Sequence, residues 1–95
     1  EVGKIFDLLI GELRQRLVRQ GLALKVAPAA KRYLIDKGYT VKYGARPLRR
    51  IIEDEVEHAI AEGVLANSYK KGDILEVVLT KGVIAIERSS ETETN

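Results

Sequence analysis

Pro47 fixes where the longest helix of this chain begins. Proline loses no hydrogen bond at the first position of a helix, so the run Tyr43-Gly44-Ala45-Arg46-Pro47-Leu48-Arg49-Arg50 predicts a loop followed by a helix start. Apolar residues then recur at every third or fourth position. This spacing predicts a helix over residues 46–66, with its buried stripe formed by Leu48, Ile52, Val56, Ala59 or Ile60, and Val64.

The rest of the chain predicts two more helices and three short strands. A first helix is expected over 3–20, with a stripe of Ile5, Leu9, Leu13 and Leu17 that is widened by Phe6, Ile10 and Val18. Pro28 opens a second helix over 28–37. Strands are expected over 22–26, 74–79 and 83–87, the last two joined at Lys81-Gly82 as an antiparallel hairpin. The order α-β-α-α-β-β predicts an α+β fold in which three helices pack on a small three-stranded sheet.

The length and composition bound the domain and its chemistry. The 95 residues suffice for one small domain, which we expect over 1–88, with a polar, disordered tail over 89–95. No cysteine is present and there is one histidine, which excludes disulfides, zinc-thiolate sites and multi-histidine metal sites. No apolar run reaches the roughly 20 residues of a membrane span. The absence of an initial methionine indicates a piece of a longer chain.

The charge is unevenly distributed along the sequence. Residues 1–50 hold 12 of the 16 lysines and arginines, whereas residues 51–95 hold 10 of the 14 acids. Such asymmetry can steer anions to one side of a domain, or it can reflect two solvated faces or complementary patches that stack copies. Composition alone leaves these alternatives open.

Arg46 stands out among the three arginines near the helix start. Arg49 can pair with Glu53 and Arg50 with Asp54 at i+4 spacing, but Arg46 has arginines at i+3 and i+4. Helical geometry also directs Arg46 away from the apolar stripe. The pattern suggests that Arg46 contacts an anion, most simply a phosphate group, with pairing to nearby acids as the alternative.

Other chemical motifs are absent or have simpler interpretations. The sequence lacks a GxxxxGK[ST] phosphate loop, a dinucleotide fingerprint and a nucleophile with histidine and carboxylate partners. His58 and Glu62 are interpreted as surface neighbours on one helix. The acidic run Glu53-Asp54-Glu55-Glu57 is interpreted as a solvated face rather than a metal site. We therefore expect no catalysis from this chain alone.

The motifs of this sequence resemble those of the C-terminal small domain of Clp-type AAA+ unfoldases. Among these unfoldases, the resemblance is to the second ATPase module of ClpC, ClpE or ClpB. The resemblance covers about residues 3–88, and the Gly-Ala-Arg motif followed by Pro-Leu-Arg-Arg is its most specific part. One departure is His58-Ala59, where the family often has Asp-Pro; the third helix is therefore expected to be straighter. The matching residues are Gly38-Tyr39, the run from Tyr43 to Arg50, Ile52, Glu57, Ala61-Glu62 and Lys71-Gly72-Asp73.

The resemblance implies a function for the candidate residues Gly44, Ala45 and Arg46. Arg46 would be the sensor-2 arginine that reaches the β- and γ-phosphates of ATP. Gly44 would permit close backbone approach or a positive φ just before the helix, and Ala45 would be a further residue of the nucleotide site. ATP and Mg²⁺ would be held by a large AAA+ domain of the same chain. The resemblance further implies contact with the neighbouring subunit of a homo-hexamer, protein substrates, a Clp peptidase in some members, and a cytoplasmic location without membrane or nucleic acid.

A freestanding basic α/β domain that binds nucleic acid is the alternative function. The basic first half and the tyrosines of the loop favour it. The acidic second half and the lack of an aromatic-bearing strand argue against it.

Overall fold

The computed structural model describes the backbone of residues 2–90 and the side chains of residues 2–88. The predicted α+β fold and its element order are confirmed. A helix of three continuous segments, Leu48–Ile52, Glu53–Glu57 and His58–Leu65, is called α3 here. The other elements are α1 (Val2–Val18), β1 (Ala23–Val26), α2 (Pro28–Gly38), β2 (Asp73–Thr80) and β3 (Val83–Ser90).

The three strands form one mixed sheet in the order β1-β2-β3. The central strand β2 pairs in parallel with β1 and antiparallel with β3. The predicted hairpin is confirmed: Lys81 and Gly82 both have positive φ, at 53° and 80°, as a tight two-residue turn requires. Strand β3 continues past the predicted end to Ser90 and so includes the first two residues of the predicted tail. The remaining tail, 91–95, lies outside the described residues.

One hydrophobic core joins all three helices to one face of the sheet. In α3 the predicted residues Leu48, Ile52, Val56 and Ile60 are buried and Val64 is partly buried, whereas the wide stripe predicted for α1 is buried only in part. Phe6 and Ile10 are buried there with Leu13 and Leu17, whereas Ile5 is exposed. The fully buried residues include Phe6, Ile10, Leu13, Leu34, Leu48, Val56, Leu75 and Val77.

The middle of α3 departs from a regular α-helix. Glu53–Glu57 is π-helical, and the His58 N–H donates to the carbonyl of Glu53, five residues back. That α3 is straighter than the helix of family members with Asp-Pro at this place stays a prediction. The wider turn buries Val56 completely while Glu55 faces α2 and Glu57 faces α1, where each forms an ion pair described below.

Asp73 is the one charged residue buried among the described side chains. Its carboxylate accepts a hydrogen bond of 2.7 Å from the Lys70 N–H and one of 3.1 Å from Arg88 Nη1. These contacts connect the start of β2 to β3. Within the described residues, the helices are too short or too polar to cross a membrane.

Candidate functional site

The loop between α2 and α3 carries the candidate residues, and both of its ends are fixed by packing. Gly38 is buried at the end of α2 and lies against Leu48 at the start of α3. A Cβ at position 38 would lie 2.6 Å from Leu48 Cδ1 and 2.8 Å from Leu48 Cα. Since real Cβ atoms do not come that close to backbone atoms, only glycine fits there.

The middle of the loop is closed by hydrogen bonds. Thr40 and Gly44 exchange two backbone hydrogen bonds, of 2.9 and 2.7 Å, and the Tyr43 N–H donates to Thr40 Oγ1 at 2.9 Å. Gly44 has a φ of 63°, in the left-handed region that favours glycine. Of the two roles that the resemblance allows for Gly44, the backbone shows the positive φ.

Ala45 and Arg46 form the turn that leads into α3. The Arg46 N–H donates to the Tyr43 carbonyl at 3.2 Å, and the Leu48 N–H donates to the Ala45 carbonyl at 3.0 Å. The helix begins at Leu48, so the prediction that it includes Arg46 and Pro47 is wrong by two residues. Gly44, Ala45 and Arg46 are thus contiguous in one turn before the helix, and the Arg46 side chain is exposed.

Three of the five cations in residues 37–50 are paired with acids. Lys37 Nζ lies 2.6 Å from Glu55 Oε2. Arg50 Nε lies 4.0 Å from Asp54 Oδ2, which is the i+4 pairing that the sequence allows. Arg49, whose spacing allows a pair with Glu53, instead reaches across to α1. The distance from Arg49 Nη1 to Glu12 Oε1 is 3.0 Å.

Lys42 and Arg46 are the cations of this region that have no ion pair within the described residues. Lys42 Nζ lies 5.3 Å from the centre of the Tyr43 ring. In the paired group, the hydrogen bond to Glu55 raises the pKa of Lys37, with a further contribution from Tyr33. The hydrogen bond to Glu12 likewise raises the pKa of Arg49. Acids of the domain itself thus stabilise the charged forms of Lys37 and Arg49.

The acidic run of α3 serves the packing of the helices. Glu55 pairs with Lys37, and Glu57 accepts two hydrogen bonds from Arg16 of α1, at 3.0 and 3.2 Å. No group of three metal-ligating side chains occurs within the part of the chain described here. The Arg16–Glu57 pair has no signal in the sequence, because it joins residues 41 positions apart.

The site at Arg46 is an open surface turn. The domain does have an apolar groove of about 340 Å³ between α1 and α3, but Arg46 does not line it. Its lining includes Leu13 and Leu17 from α1 and Ile60 and Val64 from α3. A ligand at Arg46 would therefore be enclosed only if a second protein surface covered it.

Comparison with known proteins identifies the family. Residues 1–77 match the family described as the C-terminal, D2-small domain of ClpB protein. The chain belongs to the Clp family as a C-terminal small domain. This result agrees with the resemblance noted in the run from Tyr43 to Arg50 and with the α+β fold.

Individual Clp relatives are similar over most of this chain. A chaperone protein ClpB of Rhodopirellula baltica is 38% identical over 77 residues, which is 81% of this chain and 9% of the relative. A chloroplastic chaperone protein ClpD of Arabidopsis thaliana is 42% identical over 76 residues, 80% of this chain and 8% of the relative. A ClpE ATP-binding subunit of an ATP-dependent Clp protease from Streptococcus pneumoniae is 37% identical over 90 residues, 95% of this chain and 12% of the relative. The chain thus spans about a tenth of the length of these relatives.

Proposed function

We propose that this domain senses the nucleotide of a Clp-type AAA+ ATPase, and that Arg46 contacts the β- and γ-phosphates. The observation that carries the proposal is the contrast among neighbouring cations. Lys37, Arg49 and Arg50 each lie within 4.0 Å of an acid. Arg46 is exposed and has no such acid among the described residues. We infer that the Arg46 guanidinium finds its partner in an anion from outside this domain.

The chemistry of the turn suits a phosphate. A guanidinium offers a planar fork of donors that matches two phosphate oxygens, which the point charge of Lys42 cannot do. Gly44 carries no side chain and Ala45 a single methyl group, so the backbone beside Arg46 leaves room for a bulky anion. In this proposal Gly44 and Ala45 shape the site and Arg46 supplies the charge.

The rest of the catalytic machinery belongs to the proposed parent chain. A large AAA+ domain would hold ATP and Mg²⁺ and supply the groups for hydrolysis, while this domain supplies no catalytic residue. The relatives are named as Clp chaperones and as subunits of Clp proteases. We infer a hexameric ring that acts on protein substrates and associates with a Clp peptidase where it serves proteolysis. The cytoplasmic location stays a prediction, since some relatives are chloroplastic.

The proposal is tested by Arg46→Ala in the full-length ATPase. Losing one charge-assisted contact is worth about 1.5–3 kcal/mol, so we expect the affinity for ATP, measured with a fluorescent nucleotide, to fall by roughly 10- to 150-fold. ATP-driven unfolding of a tagged substrate should fall with it. Arg50→Ala is the matched control, because Arg50 already faces Asp54 and lies in the next turn.

Two results would show whether Arg46 senses the nucleotide or has only a structural role. Arg46→Lys keeps the charge but not the planar fork, and it should recover only part of the ATP affinity. A full-length Arg46→Ala variant with normal ATP affinity and normal unfolding activity would show that Arg46 is not the sensor.

A further inference from the structure

Two ion pairs of opposite polarity join α1 to α3, the helix that begins just after the Arg46 turn. Arg49 of α3 donates a hydrogen bond of 3.0 Å to Glu12 of α1. Arg16 of α1 donates two hydrogen bonds to Glu57 of α3, at 3.0 and 3.2 Å. All four side chains line one narrow crevice between the two helices. These contacts are called the α1–α3 ion pairs below.

The arrangement of these charges favours one alignment of α3 on α1. In one pair the acid belongs to α1, and in the other pair the acid belongs to α3. A slide of the helices that brought Glu12 to Glu57, or Arg16 to Arg49, would place like charges together, which is unfavourable. The Arg16 guanidinium adds a directional constraint, because its two parallel hydrogen bonds to Glu57 require one relative orientation of the two groups.

Apolar packing alone constrains this alignment less strictly. The groove of about 340 Å³ between α1 and α3 lies beside the Arg16–Glu57 pair, and both residues contribute to its lining. Leu65, which also lines the groove, is 84% exposed. Apolar contact has no preferred direction, and here it is incomplete, so the two helices can shift with little change in buried apolar area. The α1–α3 ion pairs supply the directional contacts.

We propose that Arg16 and Glu57 are positioning residues that align α3 on α1 and so place Arg46 against the phosphates of the bound nucleotide. This inference rests on the proposed function, because it requires the sensor role of Arg46. The matching family model describes a C-terminal domain, so in the proposed parent chain the large AAA+ domain comes first and connects to this domain at α1. Arg46 is instead attached to α3, through the turn in which the Leu48 N–H donates to the Ala45 carbonyl. The alignment of the two helices therefore determines where Arg46 lies relative to the nucleotide.

A double-mutant cycle in the full-length ATPase tests the proposal. Arg16→Glu places a like charge opposite Glu57, and we expect the affinity for ATP, measured with a fluorescent nucleotide, to fall about two- to fivefold. An exposed ion pair biases two arrangements by about this factor. In a chain that already carries Arg46→Ala, the same change should have no further effect, because no guanidinium is left to be positioned. Equal losses in the two backgrounds would overturn the proposal, and so would an unchanged affinity for ATP in the Arg16→Glu chain.

Two further full-length variants separate position from charge. Glu57→Arg breaks the same pair from α3 and should also lower the affinity for ATP, although it changes the net charge in the opposite direction. If Glu57→Arg instead raises the affinity, the charge of the domain and not the position of Arg46 explains both results, and the proposal is overturned. Lys31→Glu is the matched control for Arg16→Glu: it makes the same change of charge but breaks the Lys31–Asp7 pair, which joins α2 to α1, so the affinity should stay unchanged.

Failure of this inference can be told from failure of the sensor proposal. If Arg46→Ala leaves the affinity for ATP unchanged, the sensor proposal fails and this inference fails with it. If Arg46→Ala lowers the affinity but Arg16→Glu and Glu57→Arg do not, the sensor role stands and the positioning role is overturned. A loss with Arg16→Glu as large as that with Arg46→Ala would mean that the domain is disrupted rather than realigned, which would also overturn the positioning role.

Discussion

Gly38 and Leu48 are in direct backbone-to-side-chain contact, and this contact joins α2 to α3 at the base of the loop that carries Arg46. Leu48 is completely buried, and its Cα and side chain fill the space that a Cβ on residue 38 would need. The position of Arg46 relative to the core thus depends on a glycine eight residues earlier in the chain.

Gly38→Ala should destabilise the domain because the backbone of Leu48 cannot move away without displacing the core. Overpacking of this kind costs about 1–3 kcal/mol of the free energy of unfolding. Gly11→Ala is the control: no atom lies within 4 Å of the added methyl group, and alanine favours the helix by about 0.5–1 kcal/mol. Urea unfolding should show opposite shifts for the two variants. If Gly38→Ala and the wild type have equal free energies of unfolding, Leu48 can move away from residue 38 without cost, and the proposed overpacking is absent.

The fold was largely predictable because its elements follow local rules. Pro28 and Pro47 mark the helix starts to within two residues, and Lys81-Gly82 marks the hairpin. The apolar spacing of α3 correctly gave Leu48 as buried. These signals depend on residues that are close together in the sequence, so they can be recognised from one sequence alone.

Features that depend on distant residues could not be predicted in the same way. The π-helical turn at Glu53–Glu57 leaves no mark in the apolar spacing, and the Arg49–Glu12 pair joins residues 37 positions apart. Which residues of the wide apolar stripe of α1 are buried is also set by what packs against the helix, and Ile5 is exposed there. At the candidate site, the closing of the loop by Thr40 had no signal in the sequence.

Leu48→Ala and Arg46→Ala should separate stability from function in the 95-residue chain. Leu48 is fully buried, so its truncation should cost about 2–5 kcal/mol of the free energy of unfolding through the cavity it leaves. Arg46 is exposed and unpaired within the described residues, so its removal should change stability by no more than about 0.5 kcal/mol. Chemical denaturation measures both. Unfolding of the Arg46→Ala chain would mean that Arg46 has a structural partner.

Asp73 should make the stability of the domain depend on pH in the acid range. The hydrogen bond from the Lys70 N–H lowers the pKa of Asp73 from its ordinary value of 3.8, with a smaller contribution from Arg88, and burial opposes them. A carboxylate with a lowered pKa stabilises the fold above the pKa of the unfolded chain, and this stabilisation is lost as the pH falls through the folded pKa. We therefore expect thermal stability to decrease below about pH 4.

Asp73→Asn tests this assignment. The amide still accepts from Lys70 but carries no charge for Arg88, so the variant should be less stable than the wild type at pH 7. The difference should shrink as the wild-type carboxylate becomes protonated, which melting curves between pH 7 and pH 2 would show. Asp36→Asn, at an exposed position of α2, is the control and should melt like the wild type at pH 7. A difference for Asp73→Asn that stays constant down to pH 2 would contradict the role of its charge.

The 95-residue chain should bind ATP only weakly and should not hydrolyse it. Arg46 lies on an open turn that lines no part of the groove between α1 and α3, so a nucleotide would meet one guanidinium and a short stretch of backbone. An exposed contact of this kind is screened by salt, and we expect a dissociation constant no lower than about 1 mM. Isothermal titration calorimetry with ATP measures it, and Arg46→Ala provides the matched blank. Micromolar binding that Arg46→Ala abolishes would mean that this domain holds a complete nucleotide site without a large AAA+ domain.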